Sequence, residues 1–290
     1  MISVVIPAHN EEAVIGRCLS ALLSGDGALT AADAEVIVAC NGCTDRTAEV
    51  AADFGGPVRV VEASRASKVA ALNAGDEAAQ GAVRVYLDAD VVVSGAAVRE
   101  VVGVLGESGV EAAAPLLAVD TSRSSWAVRA FYRVWMALPY FAAGGMIGSG
   151  FYAVSEAGRA RFDRFPDLIA DDGFVRSLFS AQERRTVRSS TFQITAPATL
   201  SGVIQIKTRA RFGNAELRLR RPGTAVGGEN GAGDLLRLML RRPWWIADIA
   251  VYAYAQWKTR RATRAKLAAG DFGTWERDDS SRRAVGGVVG

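Results

Sequence analysis

A regular alternation of short apolar runs and amphipathic stretches between residues 2 and 87 constrains the fold of this chain more than any other feature. The apolar runs are rich in β-branched residues and predict strands, at 2–6, 35–40, 58–62 and 83–87. The stretches between them carry apolar residues at helical spacing and predict helices, at 14–23, 45–54 and 67–80. Because strands joined by crossover helices lie parallel, the pattern predicts an α/β fold with a doubly wound, mostly parallel sheet.

The alternation loosens after residue 90. Apolar periodicity predicts three further helices and one strand, with the helices at 96–105, 126–138 and 171–179 and the strand at 112–119. A glycine-rich stretch at 223–233 reads as a linker, and a basic segment with several tryptophans follows it to residue 269. The last twenty residues or so are polar and glycine-rich, which predicts a disordered tail.

The charge of the chain is distributed unevenly. There are 34 basic and 31 acidic residues, a net charge of only +3, which does not indicate a protein that coats nucleic acid. From Val203 onward, however, 17 basic residues face 8 acidic ones, which leaves 17 basic and 23 acidic residues before it. The chain is therefore an acidic body followed by a basic C-terminal part.

Three observations bear on the expected location. The chain has only three cysteines, which predicts a reducing compartment. Its first residues lack the basic region and the cleavage site of a signal peptide, and no apolar stretch reaches the length of a membrane span. We therefore expect a cytoplasmic protein, with contact at the inner face of the cell membrane left open.

Polar residues follow the predicted strands where each strand ends. The first strand leads into Pro7-Ala8-His9-Asn10-Glu11, the second into Asn41, and the fourth into Asp88-Ala89-Asp90. In a doubly wound sheet these carboxyl ends converge on one crevice, where ligands bind. Asn10 is also a candidate cap for the first helix. The sequence thus predicts a site that contains a flat ring, an amide and two carboxylates.

Asp88 and Asp90 are the candidate metal ligands. If the strand continues, alternation sends both carboxylates to one side. Hard oxygen ligands with open coordination positions suit Mg²⁺ or Mn²⁺ on a phosphate. The alternative is a solvated turn that happens to contain two aspartates.

Cys40 and Cys43 form a Cys-x-x-Cys pair. A thioredoxin-like site needs this pair at the start of a helix, and a zinc site needs two further ligands. Only Cys18 and His9 remain, and both already have places in the predicted helix and strand end. We therefore do not favour a redox or zinc function.

Four ordered motifs together resemble the inverting glycosyltransferases of family 2, which have the GT-A fold. They are Pro-Ala-His-Asn-Glu-Glu after the first strand, Asn-Gly-Cys-Thr-Asp-Arg-Thr from 41, Ser-Lys-Val-Ala-Ala-Leu-Asn-Ala-Gly from 67, and Leu-Asp-Ala-Asp from 87. The resemblance covers about residues 2–215. It implies a Rossmann-like GT-A domain with a C-terminal helical extension, a nucleotide-sugar donor, and Mg²⁺ or Mn²⁺ as cofactor.

The resemblance also implies roles for single residues on the donor side. His9 matches a position whose ring stacks on the nucleotide base. Asn41 stands where many relatives have an aspartate that reads the uracil edge, so a UDP-sugar is favoured and a GDP- or dTDP-sugar remains open. The other implied donor contacts are Pro7, Ala8, Asn10, Glu11, Lys68, Asn73, Asp88, Ala89, Asp90, Arg209 and Arg211. Gln205 and Lys207 belong to the same basic segment as the two arginines.

Asp171 and Asp172 resemble the acidic pair that opens a helix in the family. The second acid of that pair deprotonates the acceptor in relatives, which maps to Asp172, and Asp171 would position the acceptor or share the proton. Both could instead cap the helix. Gly148, Ser149 and Gly150 resemble the loop that lines the acceptor side.

The resemblance and the composition of the C-terminal part together predict four parts of the chain. Residues 1–115 would be the nucleotide-sugar-binding half, 116–222 the acceptor-binding half of the same domain, 223–269 a basic helical extension, and 270–290 the tail. In the extension, aromatic residues precede a basic run within 243–266, which is typical of an interfacial membrane helix and would suit a lipid-linked acceptor. A helix pair packed on the body fits equally well. No recognised nucleic-acid-binding module accompanies the segment.

We therefore predict a metal-dependent, inverting glycosyltransferase. A nucleotide-dependent oxidoreductase is not favoured, because no glycine-rich turn follows the first strand. A sugar-phosphate nucleotidyltransferase would need a glycine-rich, arginine-containing phosphate loop, which the sequence also lacks. A non-catalytic, membrane-docked protein that binds nucleotide sugars remains the main alternative.

Overall fold

The computed structural model describes residues 1–63, 65–142, 149–222 and 230–269. At its centre is a seven-stranded sheet with the order β3-β2-β1-β4-β6-β5-β7. The strands are β1 (Ile2–Ala8), β2 (Ala34–Asn41), β3 (Val58–Ala63), β4 (Val83–Leu87), β5 (Ala112–Asp120), β6 (Phe151–Val154) and β7 (Arg184–Thr195). Neighbouring strands are parallel except where β6 pairs with β4 and β5. The prediction of a mostly parallel α/β sheet is confirmed.

Helices cover both faces of the sheet and extend beyond it. They are α1 (Glu12–Leu23), α2 (Thr47–Ala52), α3 (Lys68–Ala78), α4 (Gly95–Gly103), α5 (Trp126–Ala137), α6 (Pro139–Ala142), α7 (Glu156–Arg159), α8 (Asp171–Ser177), α9 (Leu200–Arg220), α10 (Ala232–Arg241) and α11 (Ile246–Ala269). Short 3₁₀ turns lie at Glu107–Gly109 and Pro243–Trp245.

Strand β1 occupies the middle of the sheet, and all seven of its residues are buried. A strand covered on both faces has no solvent side, which explains why this run is almost uninterruptedly apolar. Its one polar side chain, Ser3, donates from Oγ to Glu35 Oε1 at 2.7 Å. Helix α3 lies directly against the strand at Gly75, where a Cβ atom would come within 2.5 Å of Val5 Cγ1.

The helix starts differ from the predictions in two places. Asn10 does not cap α1: Glu11 is the residue before the helix and no side chain caps it, while Asn10 Oδ1 accepts a hydrogen bond from Thr44 N at 2.8 Å. Helix α2 begins at Thr47 instead of residue 45, because the Asp45 carboxylate accepts from the backbone N–H groups of Glu12 and Thr47 and holds a loop there.

The sequence pattern does not predict β6, β7 or α9. Strand β6 has only four residues, and β7 is an edge strand in which arginine, serine and threonine replace an apolar run. Helix α9 carries its charged residues on two opposite sides, so it lacks a single apolar face with a clear periodicity. Both kinds of element acquire their structure from tertiary contacts that a local pattern does not encode.

The C-terminal helix α11 packs along α5 and α9. Its buried face carries Asp248, Tyr252, Ala255, Thr259 and Thr263. Asp248 is paired there with Arg133 of α5, at 2.5 Å between Oδ2 and Nη1. One face of this helix is thus bound to the body, as the packed-helix interpretation of the sequence requires.

Three observations complete the comparison with the predicted organisation. The boundary drawn between residues 115 and 116 falls inside β5, at the point where its pairing with β7 shifts register. Most of the predicted linker and all of the tail, residues 223–229 and 270–290, lie outside the described residues. Within the part of the chain that the structure describes, no helix combines the length and the apolar character needed to cross a membrane.

Candidate active site

The carboxyl ends of three neighbouring strands form one edge of the sheet. Strand β1 pairs in parallel with β2 on one side and β4 on the other, so the residues after Ala8, Asn41 and Leu87 meet there. Strand β6 runs in the opposite direction and begins at the same edge, with Phe151 paired to Leu87. The predicted donor-side segments and the end of the predicted acceptor loop are therefore brought together.

Lys68 links the two halves of this edge. Its ammonium lies 2.8 Å from Asp88 Oδ1 and 3.1 Å from Asp171 Oδ1. Lys68 is the first residue of α3 and Asp171 the first of α8, so both side chains project from helix starts into the crevice. Burial acts to lower the pKa of Lys68, but the carboxylates of Asp171 and Asp88 outweigh it and raise that pKa above its ordinary value. We call Lys68, Asp88, Asp171 and Asp172 the acid–lysine cluster.

The two adjacent acids of this cluster have different surroundings. Asp171 is buried, and besides Lys68 it receives the phenol of Tyr152, with the oxygen atoms 3.3 Å apart. Asp172 is half-buried and accepts from Gly173 N at 2.7 Å. Burial, followed by the charge of Asp171, raises the pKa of Asp172 to about 6, against the opposing effect of Lys68. Asp172 is thus able to accept or release a proton near neutral pH.

The alternative that these acids cap their helix is supported by the contacts of Asp172, whose carboxylate accepts from the first-turn N–H group of Gly173, but not by those of Asp171. The residue before α8 is Ala170, whose side chain cannot cap the helix. The carboxylate of Asp171 points instead to Lys68 and Tyr152.

Asp88 and Asp90 lie in a turn instead of a continued strand. Strand β4 ends at Leu87, and Val91 N donates to Asp88 O at 3.1 Å. Both aspartates are half-buried, whereas Ala89 between them is fully buried. Both carboxylates act on the buried thiol of Cys18. The pKa of this thiol is raised mainly by burial, and further by the negative charges of Asp90 and Asp88. The two acids therefore lie in one turn at the sheet edge, and strand alternation does not apply to them.

Asp88 and Asp90 suit a divalent cation whose remaining ligands come from phosphate and water. Among the described residues, no group of three or more His, Cys, Asp or Glu side chains is arranged to hold a metal ion. Two carboxylates supply only part of the oxygen shell of Mg²⁺ or Mn²⁺, and such ions commonly complete it with phosphate and water. The donor set of Asp88 and Asp90 thus fits a divalent cation that arrives with a diphosphate.

Gly150 sets the close approach of β6 to this turn. Its carbonyl accepts from Asp88 N at 2.8 Å, and its φ of +98° lies in the region that favours glycine. A Cβ atom there would lie 2.7 Å from Val91 Cγ2 and 3.2 Å from Asp88 Oδ2. Ser149 is half-buried beside it, and Gly148 lies outside the described residues.

The ends of β1 and β2 are tied together by side chains. His9 Nδ1 donates to the backbone carbonyl oxygen of Asn41 at 2.5 Å, and this contact fixes the imidazole ring at the sheet edge. The Asn41 amide is buried and donates from Nδ2 to Ala8 O at 2.9 Å. A hydrogen bond between Asn41 and a nucleotide base therefore stays a prediction. The side-chain carbonyl oxygen of Asn41 is the group that could make it.

Other predicted donor contacts also have structural partners. Asn10 takes a positive φ of 52°, and Glu11 is buried, with its backbone N–H donating to Thr47 Oγ1 at 2.8 Å. Asn73 uses both ends of its amide on the backbone of Phe165, donating to O at 3.1 Å and accepting from N at 2.9 Å. Pro7 belongs to the buried strand β1.

Three basic residues of α9, Lys207, Arg209 and Arg211, lie in different surroundings. The charge of Arg209 acts on Lys68 and opposes its raised pKa. Burial raises the pKa of Tyr252 in α11, and Arg211 opposes that shift, so Arg211 lies toward the C-terminal helix. Lys207 lies over the ring of Trp135, 3.9 Å from its centroid. Of these three, Arg209 is the one whose charge acts on the acid–lysine cluster.

A buried network behind Asp171 is absent from the sequence predictions. Tyr152 stacks on Tyr86 with 5.0 Å between ring centroids, and Tyr86 donates to Asp76 Oδ1 at 2.9 Å. Asp76 is also paired with Arg84 and Arg159. The short apolar run that contains Tyr152 is the one local signal for this network, and four residues are too few to assign a strand.

The Cys-x-x-Cys pair gains no support as a redox site. All three cysteines are free, and burial raises the pKa of Cys40 to about 12. A thiol with such a pKa stays protonated at neutral pH and is a poor nucleophile.

Comparison with known proteins agrees with this architecture. The family model described as glycosyl transferase family 2 matches residues 3–150, a little over half of the chain. A curated relative, the uncharacterized glycosyltransferase EpsJ of Bacillus subtilis (strain 168), is 31% identical over 99 residues. That match covers 33% of this chain and only 28% of the relative's own length.

Solved structures show the same fold at low sequence identity. The mannosyltransferase PcManGT from Pyrobaculum calidifontis, solved with GDP-Man and Mn²⁺, is 19% identical with a TM-score of 0.58, over 94% of this chain and 76% of that one. TarS from S. aureus, solved with UDP, is 14% identical with a TM-score of 0.53, over 96% and 94%. The glucosyl-3-phosphoglycerate synthase of Mycobacterium tuberculosis, solved with Mn²⁺ and UDP-glucose, is 23% identical with a TM-score of 0.50, over 79% and 80%.

The expected GT-A fold is thus confirmed. With the family model matched across the strands and helices that build the crevice, this chain belongs to glycosyl transferase family 2.

Proposed function

We propose that this chain transfers a sugar from a nucleotide-sugar donor to an acceptor hydroxyl, with inversion at the anomeric carbon. The observation that carries the proposal is the acid–lysine cluster, in which one acid, Asp172, has its pKa raised to about 6 while its neighbour Asp171 is engaged by Lys68 and Tyr152. A general base is most effective when its pKa lies near the working pH.

The reaction is a single displacement. The acceptor oxygen forms a bond to the anomeric carbon as the bond from that carbon to the diphosphate oxygen breaks, and the nucleoside diphosphate leaves with the electron pair. The acceptor proton passes to the carboxylate of Asp172. Attack on the face opposite the leaving group inverts the anomeric carbon, and no covalent sugar–protein intermediate forms. In this scheme Asp171 positions Lys68 and the acceptor.

Asp88 and Asp90 would hold Mg²⁺ or Mn²⁺. When bound, such a cation offsets the negative charge of the leaving diphosphate. The ammonium of Lys68 would contact the same diphosphate, and its position 2.8 Å from Asp88 Oδ1 supports this role. Arg209 adds a second positive charge on this side of the crevice. The Mn²⁺ ions in the solved structures of the mannosyltransferase and the synthase support this assignment.

The donor is a UDP-, GDP- or dTDP-sugar, and of these a UDP-sugar is favoured. The complexes of similar proteins with UDP-glucose and with GDP-Man support this set. His9 would stack on the base from its fixed position at the sheet edge, and Asn41 would contact the base edge. The acceptor would lie beside Ser149 and Gly150, at the start of β6.

Sugar-nucleotide hydrolysis in the presence of Mn²⁺ tests the proposal. A thermal-shift panel of UDP-, GDP-, dTDP- and CDP-sugars first selects the donor, because a ligand that binds only the native state raises the melting temperature. Asp172→Asn keeps the shape of the side chain and is expected to lower the rate about 10²- to 10⁴-fold, the usual contribution of a general base. Asp90→Ala is expected to remove the dependence on Mn²⁺.

The matched control is Asp53→Asn, at an exposed aspartate after α2. It should hydrolyse the donor at the wild-type rate. Equal rates in wild type, Asp172→Asn and Asp90→Ala would instead favour the non-catalytic, nucleotide-sugar-binding alternative.

A further inference from the structure

We propose that the outer face of α10, the 243–245 turn and α11 is a docking surface for an anionic membrane. Four large apolar side chains within eleven residues form what we call the apolar ridge: Leu236, Leu240, Trp244 and Ile246, which are 51%, 73%, 71% and 63% exposed. Large apolar side chains that cluster on a surface mark an interaction site far more often than isolated ones do.

The ridge is not the edge of an internal packing face. In α10, Leu238 is buried and Leu235 packs against the core, whereas Leu236 and Leu240 are one turn apart on the opposite side of the helix. A helix of a globular protein normally carries polar residues on that side. Helix α10 therefore has one apolar face toward the body and a second one toward solvent.

Helix α11 repeats this arrangement. Its buried face contains Asp248, Tyr252 and Ala255, and the opposite face presents Tyr254 and Trp257, which are 49% and 53% exposed. At 100° per residue, these two aromatic residues lie on the same side of the helix as Ile246, the last member of the apolar ridge. The exposed apolar surface thus continues from the turn along α11.

Positive charge surrounds these apolar groups. Residues 230–269 contain eight basic and two acidic side chains. Both acids are engaged: Asp234 caps α10 and lies 3.1 Å from Arg237, and Asp248 is buried against Arg133. The basic residues of this segment are Arg237, Arg241, Arg242, Lys258, Arg260, Arg261, Arg264 and Lys266.

Cations also lie next to two tryptophan rings of this surface, the exposed Trp257 and the half-buried Trp245. Lys258 Nζ and the Arg261 guanidinium carbon lie 5.7 and 5.9 Å from the Trp257 ring centroid, and the Arg242 guanidinium carbon lies 4.5 Å from that of Trp245. Interleaved tryptophan and arginine or lysine suit the boundary between lipid headgroups and acyl chains, where the ring is half in water and the cation meets phosphate.

This charge favours a lipid surface over a second copy of the chain. A symmetric dimer through this face would bring two positively charged patches together, and each residue would meet its own equivalent or a near neighbour. An anionic bilayer supplies the complementary charge and accepts protruding apolar side chains without a matching groove. The sequence places membrane contact within 243–266, and the structure extends the surface back into α10, where the most exposed leucine lies.

Vesicle co-sedimentation tests this surface without any use of the proposed enzymatic activity, so failure of one proposal leaves the other intact. The full chain is mixed with vesicles of phosphatidylcholine alone or of phosphatidylcholine with phosphatidylglycerol. Wild type is expected to sediment with the anionic vesicles and much less with the neutral ones, and added salt should weaken the binding.

Two double variants separate the apolar and the charged contributions. Leu240→Ser with Trp244→Ser should weaken partitioning at least about tenfold, because both side chains would leave the apolar layer. Arg241→Gln with Arg242→Gln should weaken binding to anionic vesicles about tenfold and leave binding to neutral ones unchanged. The control is Leu219→Ser, at a leucine in α9 that is 66% exposed and outside the surface. All substituted residues are exposed, so the melting temperature should stay within about 1–2 °C of wild type.

Wild-type protein that stays in the supernatant with anionic vesicles overturns the proposal. So does equal sedimentation of wild type and both double variants. Size-exclusion chromatography provides a third outcome against it: a dimer that Leu240→Ser with Trp244→Ser dissociates would assign the face to contact between copies of the chain.

Discussion

Replacement of Asp172 by asparagine is expected to stabilise the folded chain while it removes the proposed base. The pKa of Asp172 is raised from 3.8 to about 6, chiefly by burial and then by the charge of Asp171. A raised pKa means that the folded state resists ionisation of this group, so its ionised form destabilises the native protein. Asparagine has the same shape, can keep the hydrogen bond from Gly173 N, and has no charge to desolvate.

The size of the effect follows from the pKa. One pKa unit corresponds to about 1.4 kcal/mol, so a shift of about two units sets an upper limit of roughly 3 kcal/mol. Because the side chain is only half-buried, solvent screening reduces this to about 1–2 kcal/mol. For a chain of this size that gain raises the melting temperature by about 2–6 °C at pH 7.

The dependence on pH distinguishes this cause from ordinary packing effects. Below pH 3.8 the aspartic acid is neutral in both states, so wild type and Asp172→Asn should melt together. The difference should grow as the pH rises from 3.8 to about 6 and then stay constant. Differential scanning fluorimetry across this range, with Asp53→Asn as control, measures it. A variant that is less stable than wild type at pH 7, or equally stabilised at every pH, would refute the reasoning.

Four further substitutions have defined outcomes. Lys68→Met leaves Asp171 without its cation and should lower the free energy of unfolding by about 3 kcal/mol in urea denaturation, whereas Lys68→Arg should recover part of this loss. Tyr152→Phe removes the hydrogen bond to Asp171 but keeps the ring stack, so it should cost about 1 kcal/mol of stability and lower kcat more than it changes KM. Gly150→Ala introduces a Cβ atom at a φ of +98°, where neighbouring atoms leave no room for it. The variant should melt at a lower temperature and bind Mn²⁺ more weakly in calorimetry. An unchanged Mn²⁺ affinity would show that β6 does not shape the metal site. Burial lowers the pKa of Lys207 from 10.5 to about 8, so the cost of its charge to the fold builds up as the pH falls from 10.5 to about 8 and is constant below that. Lys207→Met should therefore stabilise the protein by about 1 kcal/mol at pH 7, after the loss of about 2 kcal/mol of cation–π attraction, and this gain should decline between pH 8 and 10.5 and vanish above pH 10.5.

The first half of the fold is encoded locally. In β1, seven buried residues form one run that is apolar except for Ser3, and the helix that follows repeats its apolar residues at helical spacing. A parallel sheet with helices on both faces requires this pattern, so the parallel sheet and the position of the crevice could be inferred from residues near one another in sequence. The candidate metal ligands Asp88 and Asp90 could be identified from the sequence for the same reason, since they directly follow a strand.

The second half is not encoded in this way. Strand β6 is antiparallel and only four residues long, and β7 lies at an edge with few apolar residues. Their places in the sheet depend on pairing with strands far away in sequence, such as Leu87 with Phe151. Long-range pairing leaves little trace in local periodicity.

By itself the sequence determined that the chain forms a parallel sheet and that several polar residues gather at its carboxyl edge, because periodicity and strand-end position are local properties. Only the tertiary structure decided how the acids of that edge differ. Asp171 and Asp172 are adjacent in the chain, yet Lys68 and Tyr152 contact the first, while burial and its neighbour's charge raise the pKa of the second. Electrostatic surroundings depend on which distant groups come within a few ångströms, and that proximity exists only in the folded chain.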